Sequence, residues 1–142
     1  MRSEVGDYDR GREQLVGDSL LRRVQETYSA RRPPVAFIAV TDGDLYWAET
    51  DWSFAFGVKD SAHAVISSAR MDPENLGGDP SEELLDRRLR KMVARYVGEL
   101  YFDLPRSENP RSVLGPALAG VEELDAMGEE FCPPRPGERI SC

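Results

Sequence analysis

Six apolar residues in a row, Val35-Ala36-Phe37-Ile38-Ala39-Val40, lie between Arg31-Arg32-Pro33-Pro34 and Thr41-Asp42-Gly43-Asp44. The run has the length of a strand and no polar alternate positions, so both of its faces need cover. Such a strand is expected at the centre of a sheet with other elements packed on each side. Proline cannot continue a helix into the run, and Asp-Gly-Asp is turn chemistry at its end.

The flanking segments supply the cover. Val16, Leu20, Val24 and Tyr28 repeat every four residues, which predicts an amphipathic helix over about 8–30. A second, longer helix is expected from Ser81 to about residue 102. Ser81 suits an N-cap, Glu82 and Glu83 suit the positive helix end, and Leu85, Leu89, Met92, Val93, Tyr96 and Leu100 form its apolar stripe. Shorter strands are expected at Leu45-Tyr46-Trp47, from Trp52 to Phe56 and over 62–67. A loop follows at 72–81, and a short acidic helix is expected around Val121 to Met127. The order α-β-β-β-α-α predicts an α+β fold: a small mixed sheet packed by two long helices, then an irregular C-terminal segment with a short helix. The 142 residues are expected to form a single domain, with 1–7 and 133–142 loosely ordered.

Charge narrows the function classes. With 18 Lys+Arg against 26 Asp+Glu the net charge is −8, which argues against electrostatic binding of nucleic acid. No apolar run approaches the ~20 residues of a membrane span, and no signal-peptide core is visible, so a cytoplasmic protein is expected. The charges are segregated: six acids and no base from Met71 to Asp86, five bases and no acid from Arg87 to Arg95, then five acids and no base from Ser112 to Pro134. Solvated faces and a docking surface both fit this pattern. Metal chemistry is tightly limited, because His63 is the only histidine and Cys132 and Cys142 are the only cysteines. His63 reads as a packing residue on a strand. Asp42, Asp44 and Asp51 read as turn chemistry, and no glycine-rich phosphate loop is present.

Several segments together resemble one family. Thr41-Asp42-Gly43-Asp44-Leu45-Tyr46 resembles the T-x-x-D-L-Y segment of archaemetzincins, Phe54-Ala55-Phe56-Gly57 their F-x-F-G, and Ala64 to Arg70 their V-S-x-x-R strand. Leu124-Asp125-Ala126-Met127-Gly128 with Cys132-Pro133 resembles their C-terminal segment. The resemblance covers about residues 8–135 and implies a zincin-like metallopeptidase fold. In that family a long helix and the turn after it carry H-E-x-x-H-x-x-G-x-x-H-C, whose histidines hold zinc and whose Glu takes a proton from zinc-bound water.

Laid on this chain without a gap, the first His position is Tyr96 and the Glu position is Val97. The second His is Leu100, the turn Gly is Asp103, and the third His is Arg106. The positions of the structural-zinc cysteines fall on Ser107, Ser112, Cys132 and Arg135. A one-residue shift puts Arg95 and Glu99 at the first two His positions, with no ligand set either. Arg is always charged and cannot coordinate, and Val cannot take a proton. The resemblance with these departures implies a non-catalytic pseudo-metallopeptidase that holds no zinc and no other cofactor. Tyr96 and Leu100 are expected to fill the former metal space, and Glu99 to face elsewhere. Arg106 is either paired to a nearby carboxylate or a solvated loop cation.

The function expected on this basis is a bacterial, cytoplasmic protein-interaction or regulatory module. Archaemetzincin-like proteins without protease activity act as partners in transcription-regulatory complexes. The expected partner is a protein, a basic one or a regulatory factor, with neither nucleic acid nor membrane contacted directly. By fold analogy the strand carrying His63, Ala64, Val65 and Ile66 is expected to be a sheet edge open to a partner. Two alternatives stand beside this reading: an atypical zinc metallopeptidase, and a small-ligand binder in the remodelled cleft.

Overall fold

The structure, a computed structural model, describes residues 5–28, 35–48, 50 and 53–131. Its elements in chain order are β1 (Tyr8–Asp9), β2 (Gln14–Val16), α1 (Gly17–Thr27), β3 (Phe37–Thr41), β4 (Leu45–Tyr46), β5 (Gly57–Asp60), β6 (His63–Ser67), α2 (Glu82–Tyr96) and α3 (Val121–Ala126). They form an α+β fold with two small sheets, ordered β1-β2-β4 and β3-β6-β5. The second sheet is mixed: β6 runs parallel to β3 and antiparallel to β5. No described helix is long and apolar enough to cross a membrane.

The side-chain alternation of β6 explains the layering. Val65 packs with Leu20, Leu21 and Val24 of α1, while Ala64 and Ile66 pack with Met92 and Tyr96 of α2. All five β6 residues are buried, because each face of a central strand meets a helix.

This arrangement corrects two expectations. The apolar run forms β3, which lies at the sheet edge, and Val40 is 52% exposed. The centre belongs to β6, so His63, Ala64, Val65 and Ile66 do not form an open edge: both sides of their backbone are already paired. An uninterrupted apolar strand needs cover on its faces, and that requirement does not place it between two other strands. The other edge of the sheet is β5, which begins only at Gly57, after the 52–56 expected for a strand.

The first helix is shorter than its periodicity suggests. Residues 8–16 make a β-hairpin, with Tyr8 opposite Leu15. Asp9 closes the turn by accepting from the Arg12 amide at 3.1 Å, and Glu13 takes φ 56° beside β2. Leu15 and Val16 fit a helical stripe and a strand equally well, and the hairpin turn decides between them. Val5–Asp7, expected to be loose, forms a 3-10 turn. Its Asp7 is 1% exposed and accepts from Ser19 and from Arg23.

α2 begins as its sequence predicts: the Ser81 hydroxyl accepts from the Leu84 amide at 3.2 Å. It does not run on as an α-helix to residue 102. Residues Val97–Tyr101 make a π-helical turn, closed by the Phe102 amide donating to the Val97 carbonyl at 3.2 Å. The chain then reverses at Asp103, whose φ is 51°. This is the position that the resemblance assigns to a turn glycine.

The basic run of α2 settles between the two readings of the charge pattern. Arg88, Lys91 and Arg95 are 6%, 4% and 2% exposed. Arg88 donates from Nε and Nη2 to both Asp125 oxygens, each at 2.8 Å, and from Nη1 to the Met71 carbonyl at 2.7 Å. Lys91 Nζ donates to the Leu124 and Asp125 carbonyls at 3.0 and 3.1 Å, which have no partner further along α3. Arg95 Nη2 donates to the Gly115 and Pro116 carbonyls at 2.6 and 2.9 Å. These three cations are neither solvated nor open to a partner molecule, because they hold the chain's own C-terminal segment against α2. Arg87 and Arg90 remain on the outer face, in exposed pairs with Glu83 and Glu129.

Arg88→Ala removes a bidentate pair whose arginine is buried and is expected to cost about 2 kcal/mol in urea unfolding at neutral pH. Hydrogen bonding from Arg88 holds the Asp125 carboxyl below its ordinary value. A folded-state value below the unfolded one gives stability that is present above about pH 3.9 and fades as pH falls through the folded value. The difference between Arg88→Ala and the parent is therefore expected to shrink between about pH 6 and about pH 2. A gap that stays constant over that range rules out the Asp125 pairing as its source. Asp103→Gly is expected to raise stability by up to about 1 kcal/mol, because glycine adopts positive φ without steric cost, and Asp103→Val to lower it.

Candidate functional site

A cleft of about 230 Å³ lies between the segment that leads into β5 and the end of α2. Its walls are largely aromatic: Phe54, Phe56 and Tyr96 line it, with Trp47 at one side, and Arg95 and Arg106 provide its charge. Phe54 and Phe56 meet edge to face at 5.4 Å. The Arg70 guanidinium covers the Phe54 ring at 4.3 Å and is itself bound through Nε and Nη2 to Asp44, each at 2.9 Å. Gly57 is required where it stands: a Cβ there would overlap the Tyr96 ring, with Cζ only 3.0 Å away. That close approach sets Tyr96 against the sheet, 4% exposed, and burial pushes its phenol well above the usual tyrosine range.

Glu99 is the centre of the electrostatics. Its side chain is 3% exposed, and three cations surround it. Lys59 Nζ of β5 lies 2.8 Å from Oε2, Arg106 Nε lies 3.1 Å from Oε1, and Arg95 Nε, one helical turn earlier, lies 3.8 Å from Oε1. Burial, and next the neighbouring Arg106, lower the pKa of Arg95 from its ordinary value. Three cations around one carboxylate leave a formal excess of two positive charges beside the cleft.

The positions singled out by the ungapped register are not gathered in one place. Tyr96 and Arg106 line the cleft, and of the two readings of Arg106 the structure shows the paired one, with Glu99. Leu100 packs into the core beside α2, in line with its place on the apolar stripe. Val97 faces a separate groove with Val93 and Phe131, and Asp103 is exposed. Ser112 is fully buried and its hydroxyl accepts from the Leu114 amide at 3.1 Å, while the Ser107 hydroxyl accepts from the Asn109 amide at 3.1 Å. Cys132 and Arg135 lie outside the described residues.

Glu99, expected to face elsewhere, is instead the group that organises the site. The π-helical turn carries it inward, where an unbroken α-helix would point it elsewhere. Lys59 and Arg95 were also missed as site residues. The available signal was an ionisable residue, Glu99, four positions from Arg95 within an otherwise apolar stretch.

Zinc, which the fold resemblance implies, does not fit these residues. Among the described residues no group of three or more His, Cys, Asp or Glu could hold a metal. The carboxylate nearest the cleft is occupied by three cations. His63 lies on the α1 side of β6, where it stacks on Phe37 at 5.2 Å and its Nε2 donates to the Tyr28 carbonyl.

No family model matches the sequence. The chain is 27% identical over 130 residues to an archaemetzincin of Natronomonas pharaonis, covering 89% of this chain and 72% of that protein. It is 32% identical over 124 residues to an archaemetzincin of Thermococcus kodakarensis, covering 86% of this chain and 64% of that protein. The structure superposes on a zinc-dependent peptidase from Methanocorpusculum labreanum with a TM-score of 0.75 at 24% identity, over 93% of this chain and 76% of that one. These similar proteins carry archaemetzincin and peptidase names, which overturns the expectation that the chain is no enzyme, and nothing shows activity to be lost. The segments that resemble archaemetzincins, the superposed fold and the two sequence relatives converge, and the chain is archaemetzincin-like.

Proposed function

We propose that this chain is an atypical member of the peptidase group that takes peptides into the cleft beside α2. The observation that carries the reading is the cleft itself, with Phe54, Phe56 and Tyr96 in its walls at the end of α2, the helix on which the sequence resemblance lays the metal-binding motif. The names of its relatives support peptides as the class of molecule bound. Phe54, Phe56 and Tyr96 offer an apolar seat for a side chain, worth about 1.5–3 kcal/mol when an aliphatic or aromatic group is fully buried. Arg95 and Arg106 direct a positive field into the same space, which favours a carboxylate or a developing oxyanion. No step through zinc is derived, because the donor set does not fit it. A cytoplasmic setting is part of the proposal.

Trp47 gives a direct readout, since it borders the cleft. In a Trp52→Phe background, peptides drawn from a proteome digest are expected to change Trp47 emission saturably. Phe54→Ala is expected to weaken the best of them about tenfold, or ~1.4 kcal/mol. The same digest, incubated with the protein and analysed by mass spectrometry for new termini, tests whether bound peptides are also cleaved. Silent emission together with an unchanged digest rejects the proposal.

A further inference from the structure

We infer that Arg106 is a carboxylate receptor at the mouth of the cleft, held in position by the buried Glu99, and that it selects peptides carrying an anionic group there. The inference rests on the peptide-binding reading and adds a specificity to it.

Glu99 is buried and fixed by the fold, on the π-helical turn that follows α2. It takes Arg106 through Nε, at 3.1 Å. That ion-pair contact leaves the two terminal amino groups of the guanidinium, and no hydrogen bond from Arg106 is found among the described residues. The Arg106 side chain is 46% exposed and lines the cleft. An arginine anchored through Nε and open at Nη1 and Nη2 presents one edge of its fork, the geometry that matches a carboxylate in a bidentate pair.

The surrounding charge favours the same ligand. Lys59 and Arg95 share Glu99 with Arg106, so the single carboxylate does not neutralise the cluster. Neither oxygen of Glu99 has a well-aligned hydrogen bond, although both lie in ion-pair contact. Arg95 is committed to the carbonyls of 113–116. Arg106 is therefore the cation of the cluster that is free to meet a ligand. A second carboxylate arriving at its open edge would offset one of the two remaining positive charges. A peptide can supply that group from its C-terminus or from an acidic side chain, and the chemistry at Arg106 is the same.

Three probes of one sequence separate the sources: an N-acetylated Ala/Phe hexapeptide with a free C-terminal carboxylate, its C-terminal amide, and that amide with one Ala replaced by Glu. Binding is read by calorimetry at low salt. At least one carboxylate-bearing probe is expected to bind about tenfold tighter than the plain amide, the size of one charge-assisted pair. Which probe is preferred identifies the source. Arg106→Gln is expected to abolish the preference and Arg106→Lys to reduce it, because a lysine keeps the charge beside Glu99 but loses the fork. Equal binding of all three probes, or a preference that survives in folded Arg106→Gln, overturns the inference. If none of the probes binds, the peptide reading fails for these sequences and the receptor is judged by succinate alone. Succinate binding lost in Arg106→Gln upholds the receptor, and no succinate binding by the parent protein overturns it.

Discussion

Three buried cations on one face of α2 hold the molecule together around its cleft. Arg88, Lys91 and Arg95 are spaced three and four residues apart, so they lie along one side of the helix. Each is taken out of water, a loss that must be offset by good partners. Each has them: a carboxylate and a carbonyl for Arg88, the last carbonyls of α3 for Lys91, and the carbonyls of 113–116 for Arg95. A segment rich in proline and glycine makes few ladder bonds of its own, so its carbonyls are available to a neighbouring helix. The segment then supplies Ala117 and Leu118 to the cleft wall. The cleft thus depends on a row of hydrogen bonds that lies mainly outside it.

Arg95 links that row to the site. Its amino groups hold the C-terminal segment while its Nε approaches Glu99. The π-helical turn makes the second contact possible. An extra residue in the turn changes which side chains face the sheet after Tyr96, bringing Glu99 inward toward Lys59 on β5. The carboxylate draws in cations from a strand, a helix and the loop after it, and so joins three parts of the fold. Its desolvation is tolerable because so many opposite charges converge on it.

The elements read correctly from the sequence share a property: local chemistry and burial agree there. Ser81 before Glu82-Glu83 and a long apolar stripe can be little but the start of α2, and 62–67 is a strand whether central or not. The misread elements are those in which a local pattern was ambiguous and a distant contact resolved it. Leu15 and Val16 lie in a strand rather than on a helix, and besides the hairpin with β1 that strand pairs with β4, some thirty residues away. The β5–β6 turn passes through Ser61 at φ 54°, without the Asn-Gly signal that would have announced it. Basic residues on a helix usually mean solvent, and only the position of the acidic C-terminal segment shows that three of them point inward. The site was legible where it rests on side chains named by the resemblance, Tyr96 and Arg106. It was hidden where it rests on the break in helical register that turns Glu99 toward them.

Kinship and site chemistry carry different weights here. The shared fold accounts for the layering. It does not decide what the side chains at the end of α2 can do, because chemistry resides in a few groups that a fold merely positions. A zinc ion brings two positive charges to one point and coordinates water there. The cluster of Lys59, Arg95, Arg106 and Glu99 carries the same formal excess, spread over several ångströms and delivered through N–H donors. Donors of that kind bind and orient an anion, or stabilise an oxyanion, without coordinating it. The distinctive feature of this cleft is therefore the half-exposed guanidinium of Arg106, held in ion-pair contact by the buried carboxylate behind it.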